Sequence, residues 1–205
     1  MTQTQLLHDS HAPSGLDQLH PVIMPVPPST RKLAGPEMRA MLRSAAEEAL
    51  AHSAACSQVA LGPLVRQENG APVPCNGLYW SLSYTQDYVA AVNAPYPVGI
   101  DMEKIAPVSN SLMQQIASEG EWALAPERTP ALFYRYWTAK EAVLKAVGMG
   151  LAGLPNCRVQ EIIDDTHLVM RYCSEQWQVS SLLEIYGYIS SVTTRFFDPS
   201  WHLRK

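Results

Sequence analysis

The stretch FYRYWTAKEAVLKAV, Phe133 to Val147, decides how the rest of the chain must be arranged. It holds no proline or glycine, and its alanines, lysines, leucine and glutamate favour helix. At 3.6 residues per turn, Phe133, Tyr136, Trp137, Val143, Leu144 and Val147 form one apolar stripe that must face a core. Lys140 falls in the middle of that stripe. Glu141 and Lys145 lie one turn apart at its edge, with Thr138 on their side. As an ordinary surface pair, Glu141 and Lys145 would add only about 0.2–0.5 kcal/mol. Lys140 is harder to place, because an ammonium in an apolar stripe must snorkel to water, find an acid or meet a ligand.

Upstream lies Val98-Gly-Ile-Asp-Met-Glu103. In a strand, residues two apart share a face, so Asp101 and Glu103 point together, beside Gly99, while Val98, Ile100 and Met102 fill the other face. The plain reading is a solvent-facing acidic edge. Otherwise the mutual repulsion of the two carboxylates is offset by a basic side chain or a cation. Gly99 leaves room where a bulky ligand could approach. Mg²⁺ prefers oxygen ligands, one or two carboxylates together with phosphate oxygens and waters. Glu141 is the best third acid for such a site, and Lys145 and Lys140 beside it suit phosphoryl chemistry.

Working outward, residues 1–28 read as a flexible or edge-strand segment, with Val22-Ile23-Met24 the candidate strand beside Pro21 and Pro25. Gly35-Pro36-Glu37 opens a helix running to about Ala54. Arg31, Lys32, Arg39 and Arg43 form the densest basic cluster, a solvated helix face or a phosphate site. Leu78 to Tyr84 alternates and Tyr88 to Val92 follows as a hairpin partner. Short helical pieces are expected at 108–118 and 121–124, and Gly148 ends the long helix. Strands are expected at 157–163, 167–173, 176–183 and 186–194. Trp80…Tyr88…Val92 is echoed by Trp177…Tyr188…Val192, a hint of duplication. The fold class is therefore α+β: two similar halves, 29–104 and 105–205, each a helix packed on a small antiparallel sheet, with the active site between them.

The spacing of these motifs carries a resemblance. Val98-Gly-Ile-Asp-Met-Glu103 followed by Trp137-Thr-Ala-Lys-Glu-Ala-Val-Leu-Lys145 resembles the paired signature of the 4'-phosphopantetheinyl transferases, (V/I)G(I/V)D with a following acid and W(S/T)xKE(A/S)xxxK. It is most similar to the Sfp-type class, which has two pseudo-repeated halves. Asn69-Gly-Ala-Pro72 and Trp80-Ser-Leu-Ser-Tyr-Thr85 resemble two preceding motifs of that class. The resemblance implies transfer of phosphopantetheine from coenzyme A to a serine of an apo acyl or peptidyl carrier protein of a peptide, polyketide or fatty-acid synthase. The by-product would be 3',5'-ADP. It implies that Asp101, Glu103 and Glu141 hold Mg²⁺, that Glu141, Lys145 and Asp101 are catalytic, and that Lys140 pairs with this acidic site. Coenzyme A contacts are implied for Ser83, Tyr84, Lys140, Lys145, Arg31, Lys32 and Arg43. Two positions depart from the pattern: Tyr84 stands where His is usual, and Ala71 where Lys or Arg is usual. Arg66, or the cluster around Arg31, would then supply positive charge to the 3'-phosphate. The alternative is a non-catalytic coenzyme A or carrier-protein binding homologue, and a weaker one an unrelated Mg²⁺-dependent phosphohydrolase.

Bulk properties fit an enzyme-sized soluble chain. There are 205 residues, 47% hydrophobic and 17% charged, with a formal charge of −4. That balance argues against general nucleic-acid binding. No apolar run approaches the roughly 20 residues that cross a bilayer, and no signal peptide is read. A cytoplasmic monomer with reduced thiols is expected, without a zinc site. His8, His11, His20, His52, His167 and His202 are read as incidental, and Trp122, Trp177 and Trp201 as packing residues. An acidic carrier would need a locally basic or apolar docking surface, expected near 108–125.

Overall fold

A computed structural model describes residues 18–195 and 198–204; the expectation for residues 1–17, including His8 and His11, lies outside them. The long helix, α4, runs Pro130–Val147. The Thr129 side chain caps its start by accepting from the Leu132 N–H, and Pro130 occupies the first turn, where no amide donor is needed. Gly148 ends it with φ 71°, a left-handed conformation that a Cβ would penalise. Phe133, Tyr136, Ala139, Val143 and Leu144 pack into a core with Leu168, Met170 and Val179. Trp122 joins that core, stacked on Tyr136.

The other side of α4 is buried as well, which its own sequence did not show. Thr138, expected beside Glu141 and Lys145, is wholly buried, with its Oγ1 2.7 Å from Ser191 Oγ. Strand β4, Ile100–Lys104, lies against this second face, preceded by Gly99. A Cβ on Gly99 would sit 1.8 Å from the Ala142 carbonyl oxygen and 2.8 Å from the Ala146 nitrogen. The glycine thus admits the helix backbone rather than a ligand, correcting the first reading. Gly99→Ala should force α4 away from β4 and cost about 1–3 kcal/mol as overpacking. A urea-unfolding midpoint unchanged from wild type would contradict that.

The elements form an α+β fold with two sheets. In the first, β1 (Val22–Pro25), β2 (Tyr79–Tyr84), β3 (Tyr88–Ala94) and β9 (His202–Leu203) lie in the order β2-β3-β1-β9. Helix α1, Gly35–Cys56, covers it through Leu42, Ala45, Ala46, Ala49 and Leu50 against Val22, Trp80, Leu82 and Val89. The second has the order β4-β8-β7-β6-β5, where β5 is Cys157–Ile162, β6 His167–Tyr172, β7 Glu175–Ile185 and β8 Tyr188–Thr194. Two short helices, α2 (Asn110–Ile116) and α3 (Glu119–Trp122), precede α4.

The duplication is visible in the topology. In each sheet a strand precedes the helix and then pairs antiparallel with the last strand of a later hairpin, giving β2-β3-β1 in one and β7-β8-β4 in the other. This shifts the boundary expected at 104. Strand β4 pairs with β8 and takes the place in the second unit that β1 takes in the first. Strand β1 is not an edge either, because β9 returns to pair with it in parallel. His20 Nδ1 and His202 Nε2 meet at 3.0 Å across that return, so these two histidines fasten the chain end instead of being incidental. All four cysteines are free, and burial pushes the Cys157 thiol up to about 12, which leaves it inert. Among the described residues, no helix is long and apolar enough to cross a membrane.

Candidate active site

Edge strands β2 and β4 face one another without backbone pairing. Alternation turns Trp80 and Leu82 toward α1 and leaves Ser81 and Ser83 facing β4. Their hydroxyls accept the β4 amides: Ile100 N–H donates to Ser81 Oγ at 3.1 Å and Met102 N–H to Ser83 Oγ at 3.2 Å. The seam is thus satisfied by side chains, and beside it lies an open cleft of about 510 Å³. Asp101, Glu103, Trp137, Glu141 and Lys145 line one part of it, and Arg66, Ala71 and Tyr84 another.

Asp101 is the best-held member. One oxygen, Oδ1, accepts from Lys145 Nζ at 2.7 Å and from Ser83 Oγ at 2.9 Å. The other, Oδ2, is buried without a partner. Lys145 also donates to the carbonyls of Ile100 at 3.0 Å and Leu82 at 3.3 Å, so its ammonium bridges the two sheets. Glu103 accepts from Trp137 Nε1 at 3.4 Å. Burial, then the Asp101 charge, holds Glu103 above the usual glutamate value. Burial also raises Glu141, with Asp101 and Glu103 adding to the rise against Lys145, and Glu141 Oε1 is buried and unpartnered. Three carboxylates therefore share one lysine.

Two orphaned, buried carboxylate oxygens and an all-oxygen donor set fit a hard divalent cation such as Mg²⁺. Among the described residues, no three acids, histidines or cysteines are already drawn together as a metal centre. Lys145 holds Asp101 in the geometry seen.

Lys140 and the basic cluster of Arg31, Lys32 and Arg43, expected here from sequence, lie elsewhere. Lys140 Nζ is 2.6 Å from Glu121 Oε1 and donates to the Ile116 carbonyl at 2.7 Å, with 2% of the residue exposed. It serves the core on the far side of α4 and cannot pair with Asp101 or contact a ligand in the cleft. Glu121 was the missed partner. Its signal was Ser118-x-x-Glu121, a capping box that places the acid at a helix start. Arg31 pairs with Asp87 in a separate groove that Lys104 and Tyr188 also line. A 3-10 turn at Pro28–Lys32 followed by extended Leu33 and Ala34 parts Arg31 and exposed Lys32 from α1. Arg43 pairs with Glu47 at 3.1 Å and is not among the cleft-lining residues, although its charge bears on Arg66. Ser83 and Tyr84 do line the cleft, Ser83 buried and Tyr84 half exposed.

With this geometry in hand, comparison with known proteins bears on the segment that holds β4 and α4. Residues 97–186 match the 4'-phosphopantetheinyl transferase superfamily. The matched span contains Asp101, Glu103, Glu141 and Lys145, whereas Arg66, Ala71, Ser83 and Tyr84 lie before it. The chain is 37% identical over 91 residues to the 4'-phosphopantetheinyl transferase HetI of Nostoc sp., covering 41% of this chain and 38% of that protein. It is 40% identical over 101 residues to the 4'-phosphopantetheinyl transferase AcpT of Salmonella typhi, covering 43% and 53%. Against the 4'-phosphopantetheinyl transferase Sfp of Bacillus subtilis it is 30% identical over 92 residues, covering 42% and 41%. The matches thus span about two fifths to one half of the curated relatives.

Proposed function

We propose that this protein transfers the 4'-phosphopantetheine group of coenzyme A to a serine of an apo acyl or peptidyl carrier protein and releases 3',5'-ADP. The observation that carries the reading is the convergence of Asp101, Glu103, Glu141 and Lys145 in one cleft, all within the segment similar to transferases of that name. Asp101, Glu103 and Glu141 would hold Mg²⁺, which when bound neutralises charge on the diphosphate. The serine Oγ attacks the phosphorus bearing the pantetheine arm, and the bond from that phosphorus to the bridging oxygen breaks. Glu141, whose Oε1 is buried without a partner, is the carboxylate placed to receive the serine proton. Lys145 is held by two backbone carbonyls and Asp101, so its ammonium is already placed for charge developing on the departing 3',5'-ADP. The protein acts as a monomer in the cytoplasm in this reading, and the carrier docks along 108–125, where Leu112 and Leu124 are exposed.

The test is incubation with coenzyme A, Mg²⁺ and apo carriers of fatty-acid, polyketide and peptide type, read by intact mass. One carrier or more should gain a single phosphopantetheine, and chelation of divalent ions should stop the reaction. If no carrier gains mass while coenzyme A binds by calorimetry, the non-catalytic homologue replaces the transferase reading.

A further inference from the structure

Strand β2 reaches across the seam with three consecutive residues. Ser81 Oγ accepts from the Ile100 N–H at 3.1 Å, the Leu82 carbonyl accepts from Lys145 Nζ at 3.3 Å, and Ser83 Oγ accepts from the Met102 N–H at 3.2 Å. Of the three, Ser83 also meets a carboxylate: its O–H donates to Asp101 Oδ1 at 2.9 Å. From β8, Ser190 Oγ donates to the Asp101 carbonyl at 2.9 Å. Ser83, Asp101 and Ser190 are all buried, so little water competes for these bonds. Hydroxyls from both neighbouring strands therefore fix Asp101, one on its backbone and one on its side chain.

A serine hydroxyl has one proton to give and two lone pairs. In Ser83 that proton goes to an anionic carboxylate, a charge-assisted bond stronger than one between neutral groups. A deprotonated phosphate oxygen only accepts, so Ser83 has nothing left to offer it. The coenzyme A contact that the resemblance implies for Ser83 would have to break its hold on Asp101. Lys145 shares Oδ1 at 2.7 Å, but its side chain is 28% exposed, and its ammonium is assigned above to the departing nucleotide. Ser83 is the hold on Oδ1 that the substrate does not draw upon. With Oδ1 committed, the oxygen of Asp101 left without a partner is Oδ2.

We propose that Ser83 is a positioning residue for Asp101: its hydroxyl fixes Oδ1, leaves Oδ2 free for a divalent cation, and makes no bond to the nucleotide. This rests on the reading above, in which Asp101 holds Mg²⁺. The carboxylates of that site come from β4 and α4, and the group that orients one of them comes from β2 in the other sheet. The site is then complete only when the two sheets are seated against each other.

Mg²⁺ alone, followed by calorimetry and thermal melts, and 3',5'-ADP in the presence of chelator separate the two roles of Ser83. Ser83→Ala should weaken Mg²⁺ binding by about tenfold or more, the scale for losing a group that orients a metal ligand, and change 3',5'-ADP binding by less than about twofold. Ser83→Thr keeps the hydroxyl and should recover part of the Mg²⁺ loss. Ser81→Ala is the control for the seam, because it strands the Ile100 amide as Ser83→Ala strands the Met102 amide. Urea unfolding should show both alanine variants destabilised, whereas Mg²⁺ should bind Ser81→Ala as it binds the wild type. In transfer assays Ser83→Ala should need about tenfold more Mg²⁺ to reach half its maximal rate, with KM for coenzyme A at saturating Mg²⁺ retained. Undiminished Mg²⁺ affinity in Ser83→Ala overturns the proposal, and weakened 3',5'-ADP in its place returns Ser83 to the nucleotide. Equal Mg²⁺ losses in Ser81→Ala and Ser83→Ala overturn it in favour of a loosened seam. In each case transfer by the wild type leaves the parent reading standing. A wild type that transfers without responding to Mg²⁺ removes this inference alone, and one that neither transfers nor responds removes both.

Discussion

Asp101→Asn is expected to lower carrier modification by about 10²–10³-fold, the scale for removing one preorganised electrostatic group from a reacting centre, with the folded structure retained. Asparagine keeps the size of Asp101 and an acceptor for Lys145 and Ser83, which hold Oδ1. What it removes is the charge, and with it the anionic Oδ2 that is now buried without a partner. That oxygen is the strongest reason to expect a cation here, since a buried polar atom left unsatisfied costs about 1–3 kcal/mol. The loss should be partly overcome at high Mg²⁺ if metal retention is what fails. In thermal melts, Mg²⁺ should raise the Tm of the wild type, because a ligand that binds only the folded state stabilises it, and should raise that of Asp101→Asn far less. Near-normal transfer by the variant at low Mg²⁺ would sink the metal assignment.

Lys140→Met should destabilise the protein by about 3–5 kcal/mol, because it strands a buried carboxylate, and should do so without a direct effect on coenzyme A binding. Glu121 has almost no exposure, and burial by itself would raise its pKa. Lys140 and the amides of Ser118 and Val159 outweigh burial and hold it below the usual glutamate value. The sign follows from that depression. The stabilisation is complete above the ordinary glutamate pKa and is lost as pH falls from there through the lower folded value. In Lys140→Met the burial effect goes unopposed by the lysine, so the gap between wild type and variant should be widest near neutral pH and narrow on acidification. Urea unfolding at several pH values reads this out. Adding Glu121→Gln to Lys140→Met should restore part of the stability, since the cost lies in the unpaired charge and not in lost packing. A loss under about 1 kcal/mol, or one that does not vary with pH, would mean that the pair is not the buried clamp its geometry describes.

Much of the architecture could be read from periodicity because those features are local. The limits of α4 follow from Thr129, Pro130 and Gly148, each acting within a turn of its own position. The shared face of Asp101 and Glu103 follows from the two-residue repeat of a strand, and the proximity of Glu141 to Lys145 from the helical turn. The grouping of Asp101, Glu103, Glu141 and Lys145 in one cleft was legible for that reason. The hairpins were legible too, since alternating apolar residues and turn residues set them without reference to distant chain.

What periodicity could not supply was the partner each side chain meets. Lys140 demanded an acid, a ligand or water, and nothing in α4 distinguishes these; the packing of α3 against α4 brought Glu121 instead of Asp101. Gly99 signalled a close approach, and only the docking of α4 on β4 identified the Ala142 backbone as what approaches. Arg31 lay near the basic helix in sequence, but a 3-10 turn swung it to Asp87. Arg66 entered the cleft because the turn at Asn69-Gly70 doubled the chain back to Pro72. The repeat of a helix or strand states on which side a residue leaves its own element. Burial makes that side chain's energy depend on the one neighbour it finds there, and that neighbour is chosen by contacts between residues far apart in the chain.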